Sequence, residues 1–156
     1  MEQEEQDIKD IIRDMVGKMG IVCEVDSLEV QQEEEKTRVF NIKSEESNFL
    51  IGQHGVNLQS LQHIARIIVR KRIPTRTNFV IDVNSYRQEK NDSLVKLARS
   101  MAEQAVREKR AIVLRPMSPY ERRIVHMELS GNDQLKTESI GEGEERKVVI
   151  SPLNLF

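Results

Sequence analysis

Cysteine, aromatic residues and long apolar runs are scarce in this sequence of 156 residues, which has one cysteine, no tryptophan, two tyrosines and four phenylalanines. The single Cys23 cannot form an internal disulfide, which is typical of a reducing compartment, and we expect a cytoplasmic protein. No apolar run reaches the roughly 20 residues of a membrane-spanning helix. The acidic start, Met1–Glu5, is unlike a secretory signal. The sequence therefore predicts a chain that neither depends on disulfides nor inserts into a membrane.

The side chains that metal sites and catalytic centres need are also sparse. Cys23 has no metal-ligating neighbours, and no base with an orienting partner accompanies Ser118 or Ser139 as a nucleophile. A nuclease would be a distant alternative, but no set of carboxylates that could hold a catalytic metal stands near a histidine. The histidines stand apart, at His54, His63 and His126. We expect no metal, no cofactor and no enzymatic activity.

Charge is unevenly spread along the chain. The net charge of −2 and the isoelectric point near 6.0 would by themselves argue against a polyanionic partner. Residues 1–46 carry 14 acidic and 6 basic side chains, residues 47–81 carry five basic and no acidic ones, and residues 82–156 carry 13 basic and 12 acidic ones. Because the local field decides which polyanion can approach, residues 47–81 are a candidate surface for nucleic acid.

Apolar periodicity predicts a first module of helices and strands, which gives an α+β fold. In the order helix, strand, strand, short helix, helix, strand, its elements are expected at residues 4–19, 21–25, 37–43, 47–50, 56–72 and 78–83. Gly20 should end the first helix in the left-handed conformation, and a hairpin turn is expected at 31–36. The helix at 56–72 should bury one apolar side, formed by Leu58, Leu61, Ile64, Ala65 and Ile68.

A second, smaller α+β module is expected beyond a boundary near Asn84, so that the domains are 1–84 and 85–156. A long helix joins the two modules. Ser118 and Glu121 can form a capping box around Pro119, which predicts a helix that ends near residue 129. The other elements are a helix and three strands, at 86–110, 111–114, 134–139 and 146–150.

Two glycines enclose a short loop, Gly52-Gln53-His54-Gly55, immediately before the helix at 56–72. A tight turn between two helices would explain a lone Gly-x-x-Gly pair. The context favours a phosphate site, because residues without side chains let a sugar–phosphate backbone come close. The N–H groups at the start of the next helix would point at the phosphates, and Gln53 and His54 would add uncharged donors.

The same helix has a polar face, which consists of Gln59, His63, Arg66 and Arg70. Contact with solvent is the simplest explanation of such a face. It lacks, however, the acidic residues that normally pair with basic ones three or four positions away. Contact with phosphates accounts for that absence. Because stacking aromatics are few, we expect affinity from phosphates and weak discrimination between bases.

The element order and the placement of the loop after Ile51 resemble a type-II KH domain, a single-stranded RNA-binding fold with the order α-β-β-α-α-β. The resemblance implies that the Gly52–Gly55 loop clamps about four nucleotides by their backbone while a neighbouring groove contacts the bases. Many KH loops carry Lys or Arg between the glycines, whereas this loop carries Gln53 and His54. That departure implies modest affinity through the loop.

A second set of basic residues lies on the helix that Ser118 begins. Arg122 and His126 are four residues apart and so share a face. The spacing alone is typical of a plain surface pair, but both side chains can donate to phosphates. We expect this face to be exposed, with Arg115 and Arg123 on the same nucleic-acid-binding surface.

Three segments resemble the bacterial Jag-type family, also called KhpB, whose members pair a KH domain with an R-3-H domain. The segments are Leu114–His126, Thr137–Ile150 and the junction Asp82–Arg87, and the resemblance extends over roughly residues 20–151. It implies binding of single-stranded RNA, with single-stranded DNA as the alternative ligand. It also implies a link to cell elongation or division and a small partner made of one KH domain. Many members begin with a separate amino-terminal Jag domain, which we expect this chain to lack.

The function expected from these patterns is non-catalytic binding of single-stranded RNA at two sites, as a post-transcriptional regulator or RNA chaperone. Two weak sites linked by a stiff helix would raise the overall affinity through effective concentration. The alternative is a protein–protein adaptor that docks a KH paralogue or a membrane-associated partner. The acidic residues 1–46 would then serve that contact, or would shield the RNA surface.

Overall fold

The computed structural model describes residues 1–32, 35–74 and 76–153. Their contacts divide the chain into two compact units, Met1–Arg87 and Gln88–Phe156. Each unit has a three-stranded sheet and a hydrophobic core of its own, and the mixture of helices and strands confirms the predicted α+β class. No helix formed by the described residues is long and apolar enough to cross a membrane.

The first unit follows the predicted order of elements, with one added 3₁₀ turn at Gln53–Gly55. Its helices are α1 (Glu2–Lys18), α2 (Ser47–Ile51) and α3 (Val56–Arg72). Its strands are β1 (Glu24–Gln32), β2 (Glu35–Lys43) and β3 (Phe79–Val83). Gly20 follows α1 with a φ of 81°, the left-handed conformation expected there.

The sheet of the first unit has the strand order β1-β2-β3. Strands β1 and β2 are antiparallel, whereas β2 and β3 are parallel, with Phe40 opposite Ile81. Parallel neighbours need a long crossover, and α2 and α3 provide it. Because successive side chains of a strand point to opposite faces, Phe40, Ile42 and Ile81 share the face that is fully buried.

The core of this unit joins the buried face of the sheet to α1 and α3. The buried side of α1 follows helical spacing and consists of Ile8, Ile11, Ile12 and Val16. Phe40 and Phe79 meet edge to face, with ring centroids 5.8 Å apart. The carboxylate of Glu5 in α1 pairs with Arg38 of β2 and accepts a hydrogen bond from Ser27 of β1. One acidic side chain thus fastens the helix to two strands.

Three local predictions for this unit are wrong. The strand expected to start at Ile21 begins at Glu24, because residues 21–23 form no ladder with β2. The hairpin turn expected at 31–36 is shorter, because β1 continues to Gln32 and β2 begins at its partner Glu35. Residues 33 and 34 lie outside the described residues. Ile64, expected in the core, is 47% exposed. The buried sector of α3 is narrower than its apolar residues suggest, and the polar Gln62 lies within it.

Gln62 stays in the core because β3 satisfies its amide. Its Nε2 donates to the carbonyl oxygen of Phe79 at 3.3 Å, and its Oε1 accepts from the N–H of Ile81 at 2.5 Å. The carbonyl of Ile81 accepts in turn from Nε of Arg87 at 3.0 Å. Since β3 is an edge strand, these side chains satisfy backbone groups that have no neighbouring strand.

A hydrogen-bonded corner ends the first unit. The carboxylate of Asp82 accepts from the N–H groups of Val83 at 2.8 Å and Arg87 at 3.0 Å. The amide of Asn84 donates to the carbonyl of Ser44 at 2.9 Å and accepts from its N–H at 3.1 Å. Asn84 has a φ of 45°, in the left-handed region where asparagine is enriched. The corner explains structurally why polar residues occupy the junction segment.

The second unit has a sheet of strand order β4-β6-β5, in which both pairs are antiparallel. Its helices are α4 (Tyr86–Glu108), which begins in the first unit, and α5 (Pro119–Leu129). Its strands are β4 (Ile112–Val113), β5 (Leu135–Ile140) and β6 (Lys147–Pro152). The ends of these helices and strands lie within two residues of those predicted.

The core of the second unit is built on the small residues of α4. Ala98 and Ala105 have no exposed surface and belong to one cluster with Val125 of α5 and with Val148 and Ile150 of β6. Alanine at these positions lets the neighbouring elements approach the helix closely, because it extends only one carbon from the backbone. The core therefore joins the small side chains of α4 to larger ones, such as Leu129 of α5 and Ile150 of β6.

Helix α5 begins with the predicted capping box. The hydroxyl of Ser118 accepts from the N–H of Glu121 at 3.2 Å, and the carboxylate of Glu121 accepts from the N–H of Ser118 at 2.8 Å. Burial raises the pKa of Glu121, but the hydrogen bonds from Ser118 and the nearby cations Arg115 and Lys90 outweigh it and hold that pKa below its usual value.

Candidate nucleic-acid interface

The Gly52–Gly55 loop owes its shape to a backbone that is left-handed at three of its four residues. Gly52 has φ 70° and ψ −178°, His54 has φ 56°, and Gly55 has φ 78°. The conformation of Gly52 is almost restricted to glycine. Gln53 and His54 are both exposed at the tip of the loop.

Side chains of the same unit limit the space beside each glycine. A Cβ on Gly52 would lie 2.5 Å from Cγ of Asn57, whose Nδ2 donates to the carbonyl of Phe49 at 2.8 Å. A Cβ on Gly55 would lie 3.3 Å from Cε1 of Tyr86. The sequence predicts that these bare positions let a bound backbone come close. The structure adds a reason within the unit, because side chains of the same unit lie beside both glycines.

The loop leads directly into the N-terminus of α3. Gly55 is its N-cap residue, and the first turn contains no acidic side chain. Free N–H groups at a helix start carry partial positive charge and bind anions. The exposed Gln53 and His54 side chains stand beside this end of the helix, so the loop offers side-chain donors next to a positive helix terminus.

The polar side of α3 is exposed, as predicted. It carries Gln59, His63, Arg66 and Arg70. Within the described ranges, neither guanidinium lies within 4.0 Å of a carboxylate. By contrast, Arg38 pairs with two glutamates and Arg99 pairs with Glu128. Arg66 and Arg70 therefore keep their hydrogen-bond donors available for an external anion.

Arg122 and His126 are not the free surface pair that the sequence suggested; both are half-buried. Arg122 Nε donates to the carbonyl of Met117 and its Nη1 to the hydroxyl of Ser139, both at 3.3 Å. The imidazole nitrogens of His126 lie 2.9 Å from the hydroxyls of Thr137 and Ser139. The expectation of an exposed pair is wrong, because β5 supplies hydroxyl partners that spacing within one helix cannot reveal.

Burial lowers the pKa of His126, and the guanidinium of Arg122 lowers that pKa further. The imidazole is therefore neutral at pH 7, with one ring nitrogen donating and the other accepting. The sequence predicts no base with an orienting partner beside Ser139, whereas the structure places the imidazole of His126 next to this hydroxyl. The group on the other side of the imidazole is the hydroxyl of Thr137, where a catalytic triad has a carboxylate.

The remaining basic residues predicted for this surface differ in their surroundings. Arg115 is exposed and lies 3.7 Å from the carboxylate of Glu121, which neutralises part of its charge. Arg123 is exposed, and among the described residues it has no carboxylate within 4.0 Å. The residues that the structure describes include no group of three or more His, Cys, Asp and Glu side chains that could bind a metal ion.

The structural roles of three residues, Gln62, Thr137 and Ser139, could not be predicted from the sequence. Gln62 is polar in a buried helical sector, and only the edge position of β3 gives it partners. Thr137 and Ser139 are two positions apart on β5, so their side chains lie on the same face of the strand. The spacing in the sequence predicts this shared face. What the sequence lacks is the information that this face meets α5.

Comparison with known proteins gives the family of the chain. Residues 92–152 match the family model of the R-3-H domain, and this range includes the Arg122–His126 network and its partners on β5. The RNA-binding protein KhpB of Bacillus subtilis is 38% identical over 122 residues, which are 77% of this chain. The chain belongs to the Jag-type, or KhpB, family. The resemblance that the sequence showed is thereby confirmed.

Further KhpB proteins support the same assignment. The RNA-binding protein KhpB of Clostridium symbiosum is 37% identical over 119 residues, which are 76% of this chain. That of Streptococcus pneumoniae is 31% identical over 109 residues, which are 70% of this chain. The matches cover 59%, 54% and 33% of the Bacillus, Clostridium and Streptococcus proteins, respectively. The chain thus spans about half the length of the first two KhpB relatives.

Proposed function

We propose that this KhpB-family chain binds single-stranded RNA without catalysing a reaction, and that its first unit is a type-II KH domain. The observation that carries the proposal is the loop: a left-handed backbone brings Gln53 and His54 to the start of α3. No carboxylate occurs in the sequence from residue 47 to residue 81. Phosphates of one strand would be held by the helix N-terminus and by Arg66 and Arg70.

Weak discrimination between bases is part of the proposal. The carbonyl of Phe79 and the N–H of Ile81, which could otherwise read a base edge at the side of β3, are bonded to Gln62. Few aromatic side chains are present for stacking. Contacts to phosphates and sugars position a strand but carry little sequence information. We therefore expect similar affinities for strands of different sequence.

The second unit contributes a second phosphate surface in this proposal. Arg115 and Arg123 are the exposed cations, and Arg122 retains guanidinium N–H groups beyond those bonded to Met117 and Ser139. His126 serves mainly to hold α5 against β5. The names of the KhpB relatives support RNA as the ligand. We place the protein in the cytoplasm, as a regulator or chaperone of RNA linked to cell elongation or division.

The test replaces both loop residues, Gln53→Asp and His54→Asp. Two carboxylates would stand where phosphates must approach, so binding of a labelled four-nucleotide RNA should be abolished in fluorescence anisotropy. The fold should be retained, because aspartate tolerates the φ of 56° at position 54 and an acid is favourable near a helix N-terminus.

The matched control is Gln53→Asn with His54→Asn, which has similar backbone preferences and no charge. It should keep affinity within a few-fold of the natural chain. If the aspartate variant has a native circular dichroism spectrum and binds RNA as the natural chain does, the loop is not the binding site.

A second candidate function, protein docking, is favoured by an apolar strip on the outer side of α3. Val56, Ile64 and Ile67 are 57%, 47% and 45% exposed. A small KH-domain protein with a matching strip is the partner that the adaptor hypothesis names. Ile64→Glu would then release that partner from the purified complex and leave RNA affinity unchanged. Loss of the partner after nuclease treatment alone would instead mean that RNA bridges the two proteins.

A further inference from the structure

An open cavity of about 300 Å³ lies between the C-terminal half of α3 and the start of β3. Three arginines line it, Arg66, Arg70 and Arg76, and we call it the arginine cavity. Its other lining residues are Val69, Thr77, Asn78 and Phe79. The volume is at the lower end of the range for ligand sites and suits a unit of the size of one nucleotide.

We propose that the arginine cavity is a second phosphate subsite for the RNA strand held at the Gly52–Gly55 loop, and that Arg76 is a contact within it. The inference rests on the proposed function, since it assigns the next phosphates of the same strand. Arginine forks match phosphate oxygens two at a time, so three of them around one cavity form a site for a phosphodiester.

The charges around the arginine cavity are not balanced by internal ion pairs. Among the described residues, no carboxylate lies within 4.0 Å of the guanidinium groups of Arg66, Arg70 and Arg76. One acidic residue stands at the rim, where the hydroxyl of Thr77 donates to Glu4 at 2.7 Å. Glu4 therefore opposes an anion at one side of the cavity, and the three arginines outweigh its single charge.

Stabilisation of α3 does not explain the arrangement. Cations in the last turn of a helix interact favourably with its dipole, which accounts for Arg70, Lys71 and Arg72. Arg66 lies more than a turn before the end of α3, and Arg76 lies beyond it. Neither gains from the dipole, yet both line the same cavity. An external anion accounts for their convergence.

The geometry sets the strand length that reaches the cavity. Arg66 and Arg70 are ten and fourteen residues beyond Val56, which corresponds to about 15 and 21 Å along the helix axis. A stacked strand advances by about 3.4 Å per nucleotide, so the cavity lies roughly four to six nucleotides from the loop. A four-nucleotide RNA that fills the loop ends before the arginine cavity, and a twelve-nucleotide RNA reaches it.

The experiment compares Arg76→Gln with Arg72→Gln in the full chain, on RNAs of four and twelve nucleotides. Arg72→Gln is the control, because Arg72 is exposed at the end of α3 and does not line the cavity. Both substitutions remove one positive charge. Arg76→Gln should weaken binding of the longer RNA about tenfold and of the shorter one less than twofold. Arg72→Gln should change both less than twofold. The log–log salt slope for the longer RNA should fall by about 0.7 per lost phosphate contact in Arg76→Gln alone.

Two results would overturn the subsite. One is an equal loss for Arg76→Gln and Arg72→Gln, which would mean that only the general field acts. The other is an equal loss on both RNA lengths. If the aspartate variant of the loop loses the four-nucleotide RNA while Arg76→Gln has no effect, the subsite fails and the proposed function stands. If that variant keeps the four-nucleotide RNA, the proposed function fails, whatever Arg76→Gln does.

Discussion

Gly52 and Gly17 are the same residue type in two unlike surroundings. Gly52 has a left-handed φ and no room for a Cβ beside Asn57. Gly17 lies inside α1, where nothing stands within 4 Å of the position that a Cβ would take. Glycine is therefore a requirement of the native conformation at the first position and a cost in chain entropy at the second.

The two positions predict stability changes of opposite sign. Gly52→Ala should lower the free energy of unfolding by roughly 1–3 kcal/mol, because it adds a clash to a conformation that alanine rarely adopts. Gly17→Ala should raise it by roughly 0.5–1 kcal/mol, as in other helix interiors. Urea denaturation followed by circular dichroism measures both. A neutral Gly52→Ala would show that the loop adopts another backbone conformation in solution.

Single residues also mark where sequence reasoning ends. Helical spacing correctly indicates the buried side of α1, because its apolar residues form one narrow sector. In α3 the apolar residues extend over a wider sector than the sheet covers, so Ile64 is exposed while Gln62 is buried. Whether a residue at the border of a helix face is buried depends on the width of the surface it meets, which periodicity does not contain.

At the scale of elements, the contact between α5 and β5 differs most from its prediction. The capping box of α5 could be predicted because its partners are three residues apart. The hydroxyls that bind Arg122 and His126 lie on a strand 11 to 17 residues away. A substitution at this pair therefore changes packing between elements as well as the charge available to a ligand.

Arg122→Ala and Arg123→Ala separate these two effects. Arg122→Ala should destabilise the chain by roughly 1–3 kcal/mol, since the hydroxyl of Ser139 and the carbonyl of Met117 lose a charged donor. Arg123→Ala should change stability by less than about 0.5 kcal/mol, because the side chain is exposed and has no carboxylate partner among the described residues. Thermal unfolding of both variants tests this.

RNA binding by the same two variants completes the comparison. Arg123→Ala should weaken binding of a twenty-nucleotide RNA about tenfold while it leaves the fold unchanged. If it has no effect on affinity and Arg122→Ala leaves stability unchanged, α5 carries neither the structural network nor the phosphate surface described for it.

For the whole molecule, the order of elements in both units could be predicted, because each element has its own periodicity and its own start or stop signal. Predicting the β2–β3 pairing from the helical crossover is also within reach of such rules. The sites are less accessible. Whether an arginine at these sites can donate to a ligand depends on partners that are distant in sequence. Arg122 is bonded to Ser139, whereas Arg66 has no carboxylate within 4.0 Å among the described residues.

The whole molecule also predicts a salt dependence. If three to five basic groups engage phosphates, the logarithm of the RNA affinity should fall with the logarithm of salt concentration with a slope of roughly −2 to −3.5. Titrations of a twenty-nucleotide RNA at several potassium chloride concentrations measure that slope. A slope near zero would mean that stacking or base contacts dominate, against the low aromatic content.

The closed edge of β3 limits how copies of this chain can aggregate. Along that strand, backbone groups from the carbonyl of Phe79 to the N–H of Val83 are bonded to side chains. The other edge of the sheet is β1. A sheet that can add strands at one edge only ends its growth when two copies join, whereas two open edges permit a fibre. Gln62, Asp82 and Arg87 thus make a closed pair the end point of edge-to-edge association through the sheet of the first unit.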